Sequence, residues 1–397
     1  VLDSVADTTA DITALDVTGS FNAKDKTYDA TDGAVVTGSA LAGVITGDDV
    51  SLVAGNEATF DSKNVGKNKT VTISGTPSLT GADAGNYNLK SVDTTTATIT
   101  PAPLRVAITV LDKTYDATTD ATLDGDVSLT GVLGSDEVSI TGGTVAFADK
   151  NIGTSKTVTL TGASLAGADA GNYEADLSSI QSSASITPIH VTGAFTASNK
   201  TYDGKVDATI TGRSLDVPGV LGTEDVSLAG GSATFADKNV GENKTVTQTG
   251  MALAGVDAGN YELDSVANTT ADITALDVTG SFNAKDKTYD ATTAALVTSS
   301  ALAGAITGDD VTLVAGNEAT FDSKNVGKNK TVTISGTPSL TGNDAGNYHL
   351  TGVDTTTATI TPAPLTASIR VLDKTYDATT DATLDGDVSL TGVLLSD

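Results

Sequence analysis

The tetrapeptide Lys-Thr-Tyr-Asp begins at Lys26, Lys113, Lys200, Lys287 and Lys374, each 87 residues after the one before. Asp-Ala-Gly-Asn-Tyr ends at Tyr87, Tyr173, Tyr261 and Tyr348, and Lys-Asn-(Val/Ile)-Gly begins at Lys63, Lys150, Lys238 and Lys324. Three markers in fixed order at one period define a tandem array, in which each unit is one supersecondary module. Residues 15–101 match residues 276–362 with ten differences, whereas adjacent copies share mainly the markers. The order is therefore the end of a C-type copy (1–14), A (15–101), B (102–188), C (189–275), A′ (276–362) and an incomplete B′ (363–397). Both ends fall inside a repeat, so the chain reads as a stretch of a longer filament.

Within a copy, aliphatics alternate with Thr and Ser, as in Lys156-Thr-Val158-Thr-Leu160-Thr and Asp136-Glu-Val138-Ser-Ile140. Alternation at period two marks half-buried strands, and Gly, Asn and Asp clusters break them at sandwich-like spacing. No sustained helical stripe is present. In repeat A, strands are predicted near 15–22, 33–38, 50–54, 57–60, 69–74, 86–92 and 96–100. The expected fold is all-β: a linear array of small Ig-like β-sandwich modules, with a β-grasp-like module as the rival. Pro101 and Pro103 stiffen the short crossing between copies by fixing φ, so a semi-rigid rod is expected.

Composition narrows function. The net charge is −28 and Arg occurs only at positions 105, 213 and 370. That balance argues against nucleic acid, which binds through clustered cations. No apolar run approaches the ~20 residues of a membrane-spanning helix. Zero Cys removes thiolate chemistry. The tyrosines Tyr28, Tyr87, Tyr115, Tyr173, Tyr202, Tyr261, Tyr289 and Tyr348 lie in markers, and Phe60, Phe147, Phe235 and Phe321 share one repeat position. Recurrent occupancy reads as core packing and leaves no aromatic for sugar stacking.

His190 and His349 fall at variable positions, with no partners for a catalytic dyad or zinc site. No catalytic, cofactor-binding or metal-ligating set emerges, and the chain does not read as an enzyme. Acidic pairs recur at Asp48-Asp49, Asp136-Glu137, Glu224-Asp225 and Asp309-Asp310. With Asp83 or Asp169 they could offer oxygen ligands for Ca²⁺, but turn chemistry plus solvation is the simpler expectation, since no EF-hand or repeat-in-toxin pattern is present. Lys26 with Asp29 and Asn64 could supply an intramolecular Lys–Asn amide, but an ordinary ion pair is the simpler expectation. Gln248 stands where Ile73, Leu160 and Ile334 are aliphatic, and its partner is not evident.

The motifs Lys-Thr-Tyr-Asp, Ala-x-Phe-x-x-Lys-Asn-Val-Gly, Leu-x-Gly-x-Asp-Ala-Gly-Asn-Tyr and Ala-x-Ile-Thr-Pro resemble the YDG-type repeats of large bacterial surface adhesins, including filamentous-haemagglutinin-like exoproteins. The resemblance implies export to the Gram-negative cell surface and a stalk that holds an adhesive region away from the cell. Its implied partners are neighbouring repeats of the same chain. Extracellular polysaccharide or a host surface would be met through regions outside this chain. The alternative is that the repeats themselves mediate homotypic or matrix-polysaccharide binding in biofilm. Only Tyr202-Asp203-Gly204 keeps the eponymous glycine, and four copies read Tyr-Asp-Ala. The residue after Asp is thus expected not to need positive φ. Asp-Ala-Gly-Asn-Tyr-x-Leu also resembles the tyrosine corner of immunoglobulin-like sandwiches, with Leu89 or Leu263 at the core position.

Overall fold

The computed structural model describes residues 3–55, 57–216, 219–316 and 318–394. Two compact units divide the chain, residues 1–189 and residues 190–397, and each is described by itself.

Repeat A shows how the alternating sequence becomes a module. Its strands are β1 (Leu15–Ala23), β2 (Lys26–Thr27), β3 (Gly33–Ala34), β4 (Val36–Ala42), β5 (Ser51–Val53), β6 (Ala58–Phe60), β7 (Gly66–Ile73), β8 (Ser78–Thr80), β9 (Tyr87–Val92) and β10 (Thr95–Thr100). One sheet has the order β4-β1-β9 and the other β2-β10-β7-β6-β3, with β5 and β8 paired at the side. β1 runs antiparallel to β4 and parallel to β9, and β2 runs parallel to β10. The first strand thus serves both sheets by crossing between them after Ala23. Asp25 secures that corner by accepting the Thr98 amide at 2.6 Å.

Side chains from both sheets meet in one core. Phe21 projects from the first sheet, and Phe60, Val71, Ala97 and Ile99 from the second, all essentially buried. Thr fills the outward positions between them, where a β-branched polar residue suits a solvated pleat. Among the described residues there is no α-helix, only a three-residue 3₁₀ turn before Tyr87, Tyr173, Tyr261 and Tyr348, such as Ala84–Asn86. Facing sheets without a helix make the module sandwich-like and remove the β-grasp alternative.

The predicted 33–38 strand is two strands. Gly33–Ala34 pairs with β6 and Val36–Ala42 with β1, so the chain changes sheets at the exposed Val35. Alternation alone cannot register such a switch, because the pleat continues across it. The short β2 and β8 were not foreseen, since two or three residues carry no period.

A second correction concerns the residue after Tyr-Asp. Ala30, Ala117, Ala291 and Ala378 all have φ of 63–65°, and Gly204 has 74°. The position does require the left-handed region, where a non-glycine residue costs about 1–2 kcal/mol. Alanine bears that cost because its methyl is useful: Ala30 packs against the core cluster that contains Tyr28 and Tyr173. A Cβ at Gly204 would likewise sit 3.6 Å from Ile306, in ordinary van der Waals contact.

Gln248 also finds its reason. It is half-buried, and its Oε1 accepts the Met251 amide at 3.2 Å. Met251 is 8% exposed and packs beneath Gly231. In repeat B, Leu160 and Ala163 approach the equivalent Gly143. The single methionine of the chain therefore fills the space that Leu160 fills in B, freeing position 248 for a polar side chain.

Candidate functional site

Each marker does local work before it reaches another repeat. The Lys26 ammonium donates to Asp29 Oδ1 at 2.7 Å and to the Thr31 carbonyl at 2.8 Å, while Asp29 also accepts the Thr31 amide. The same ammonium lies 5.6 Å from the Phe60 ring centroid, within cation–π range. Lys26 is thus committed to its own loop, whereas Asn64 Oδ1 accepts from Asn172. The geometry for a Lys26–Asn64 amide is absent. The loop holds Tyr28 outward, and the Tyr28 amide is fixed on the Thr100 carbonyl at 2.8 Å.

The end of repeat A then meets the start of repeat B. The Tyr28 hydroxyl donates to Asp136 Oδ2 at 2.7 Å, and the Tyr173 hydroxyl donates to the same oxygen at 2.6 Å. Lys63 Nζ donates to Asp136 Oδ1 at 2.9 Å, and lies 3.8 Å from Asp169. The Tyr28 and Tyr173 rings stand edge to face, centroids 5.4 Å apart. Beside them, Asn172 accepts the Val65 amide at 2.9 Å and donates to Asn64 at 3.2 Å. Beneath this polar layer lies one core, shared by Phe21, Tyr28, Val71 and Ile99 of A and by Ala102, Leu104 and Tyr173 of B. Only Pro101 separates β10 from the strand Ala102–Pro103, which pairs in parallel with Tyr173–Glu174.

The second unit repeats this joint between C and A′. Tyr202 and Tyr348 both donate to Asp309 Oδ2, at 2.7 and 2.6 Å. Lys238 lies 3.1 Å from both Asp309 and Asp344. Asn347 accepts the Val240 amide at 2.9 Å and donates to Asn239 at 3.2 Å. Tyr202 and Tyr348 stand edge to face at 5.5 Å.

Half of the joint is prearranged within a single repeat. In A, Tyr87 donates to Asp48 at 2.6 Å and accepts the Ile45 amide at 3.1 Å. Tyr261 does the same with Glu224 and the Leu221 amide. The hydroxyl does tie a corner to backbone, but to a loop about 40 residues upstream, not to its own corner. Leu89 and Leu263 are only half-buried, and the tyrosine ring takes the deeper place. The second acid of each pair stays in the turn: Asp49 accepts the Ala82 amide, and Asp83 accepts the Asp49 amide. The carboxylates offered to Ca²⁺ by the sequence are therefore held by protein donors. Among the described residues no group of three or more His, Asp or Glu is placed to hold a metal ion.

The other marker residues lie where recurrence put them. Phe60, Phe147, Phe235 and Phe321 are each 3% exposed. Tyr115 is buried under Lys150, whose ammonium is 5.8 Å from its ring centroid. Tyr289 packs against the A′ core. His190 and His349 are exposed, at 2.7 Å from Asp264 and 2.8 Å from Asp277. The role of Asp136 and Asp309 was missed by sequence reasoning. Its signal was that the same Tyr and Lys (Tyr28 and Lys63, Tyr202 and Lys238) and the same acid and Tyr (Asp136 and Tyr173, Asp309 and Tyr348) recur in successive copies.

These contacts set the ionisation of the joint. Hydrogen bonds from Tyr173, Tyr28 and Lys63 hold the Asp136 carboxyl down at about 2. Burial, then the Asp136 carboxylate, push Tyr173 up to about 12. Bonds to Asp136 and Tyr28 raise Lys63 above its ordinary value. A depressed carboxyl contributes stability above its unfolded value near 4, lost as pH falls toward about 2. A raised phenol contributes stability below about 10, lost as pH rises toward about 12. We predict that the melting-temperature difference between wild type and Asp136→Asn is flat through neutrality and shrinks in both windows. The comparison matters because acid also relieves general anionic repulsion. A difference that grows below pH 4 would contradict the assignment.

The family comparison agrees with the repeat geometry. A model of the YDG domain matches residues 9–97, 100–182, 187–271 and 274–358. No match is found among curated proteins. With four successive matches spanning most of its length, the chain belongs to the YDG domain family.

Proposed function

We propose that these repeats are non-catalytic spacer modules of a secreted bacterial surface adhesin, forming a stalk that carries an adhesive region away from a Gram-negative outer surface. The observation that carries this reading is the recurrent joint. A spacer must resist bending between modules, and here a two-tyrosine carboxylate clamp, a lysine ion pair and a shared core act across a one-residue connection. The absence of cysteine suits export of an unfolded chain. All seven phenylalanines are buried, which leaves few rings for carbohydrate stacking. The test is adhesion by the parent protein against a version with this array shortened. Retained binding with reduced reach is expected; loss of all binding would sink the stalk reading.

A second reading, that the repeats themselves bind homotypically, is favoured by one feature of the A-type copies, the outer edge of their three-stranded sheet.

A further inference from the structure

Strand edges expose unpaired backbone groups, and proteins blunt them by shortness, charge or cover. Repeat A follows that rule at most edges. The five-stranded sheet ends in β2 and β3, each only two residues long, and the side pair β5–β8 has three residues per strand. The β9 edge carries Lys90. The remaining edge, β4, breaks the rule. It runs for seven residues, Val-Thr-Gly-Ser-Ala-Leu-Ala, with no charge and no proline, and most of it is exposed. Among the described residues no strand pairs with its outer side.

The flank of β4 is uncharged too. Val35 and Val53 are 63% and 45% exposed, and a groove of about 480 Å³ runs between Val36–Ser39 and Leu52–Gly55. A single side-chain bond, from Ser39 Oγ to the Leu52 carbonyl at 3.0 Å, spans it. A′ reproduces the arrangement with Val297–Ala303, exposed Leu296 and Val314, a groove of about 370 Å³ and a bond from Ser300 to Leu313. The other copies close the edge. In C the position of Ser39 is Arg213, whose guanidinium donates to the Gly230 carbonyl at 2.9 Å. In B the equivalent strand is cut to Ser128–Thr130.

We propose that the β4 edge of A-type repeats is a docking surface for the same edge of a second copy of this chain, joined as an antiparallel strand pair. Identical strands meeting antiparallel are related by a two-fold axis and satisfy each other's backbone groups, which makes the contact self-complementary. Charge selects that surface: two chains of net charge −28 repel, so they approach best where neither presents a charge. Each chain carries the edge twice, at β4 and at Val297–Ala303, so either edge can meet its like on a second chain. The pairing does not depend on the stalk reading, because it is measured on this chain alone.

Sedimentation equilibrium of the full chain, from micromolar to millimolar at moderate salt, tests it. The mean mass should rise above that of the monomer with concentration, and past that of a dimer once both edges are engaged. Ser39→Arg with Ser300→Arg, which places the arginine of repeat C at both edges, should weaken association by at least about tenfold. Thr37→Lys with Thr298→Lys should do the same and serves if the arginine pair lowers the melting temperature. A chain that stays monomeric throughout, or variants that associate like wild type, would overturn the proposal.

Discussion

Replacing Asp136 with alanine is expected to uncouple repeats A and B. The carboxylate is the shared acceptor of Tyr28, Tyr173 and Lys63, and its side chain is only 5% exposed. Removing it takes the shared acceptor from two buried hydroxyls, while the half-exposed Lys63 keeps Asp169 at 3.8 Å. The Tyr173 hydroxyl keeps the Leu133 amide as a donor to it, at 3.0 Å, but loses the acceptor of its own proton. Leaving the partners of such a centre unpaired costs on the order of 3 kcal/mol. In denaturant, the first unit should lose cooperativity, with one repeat unfolding before the other. Asp309→Ala should act alike in the second unit, where Tyr202, Tyr348 and Lys238 converge. A loss below about 0.5 kcal/mol, as at an ordinary surface site, would mean that the contacts are incidental.

Phe60→Ala is expected to cost still more, about 3–5 kcal/mol. The ring is 3% exposed in a small core with Phe21, Tyr28, Val71 and Ile99. A module this size has little apolar area in reserve, and the chain contains no tryptophan. The ring also lies beneath the Lys26 ammonium, so its loss slackens the loop that aims Tyr28 at Asp136. The signature is therefore double: a lower unfolding midpoint for repeat A, and faster hydrogen exchange at the Val65 amide, which reports on the joint through Asn172. Faster exchange throughout A with an unchanged Val65 amide would show that core and joint are independent.

These expectations separate what the sequence could reveal from what it could not. Alternation identified the core because one position carries one job: Val71, Val158, Val246 and Val332 all have zero exposure. The Lys-Thr-Tyr-Asp loop was legible for a related reason, since its contacts span only a few residues. Lys374 still meets Asp377 at 3.0 Å even where Tyr376 is 91% exposed.

The joint was harder to read. Tyr28 and Asp136 lie 108 residues apart, and comparing copies in register aligns equivalent residues rather than the residues that touch. The acidic pairs accordingly looked like turn residues or calcium ligands, when their first member belongs to the neighbouring repeat. Ala30 misled for the opposite reason. Its residue type argues against positive φ, yet packing of its methyl against the next repeat outweighs the preference.

The central claim is that successive repeats are energetically coupled through the joint, and a double-mutant cycle between repeats measures that coupling. Tyr28→Phe and Asp136→Asn are each conservative, and they lie in different modules. Unfolding free energies of wild type, both single variants and the double variant should give an interaction energy of about 1–2 kcal/mol, because Tyr28→Phe removes the hydrogen bond and Asp136→Asn removes the charge that strengthens it. Simple additivity, with an interaction energy within about 0.3 kcal/mol of zero, would contradict the account.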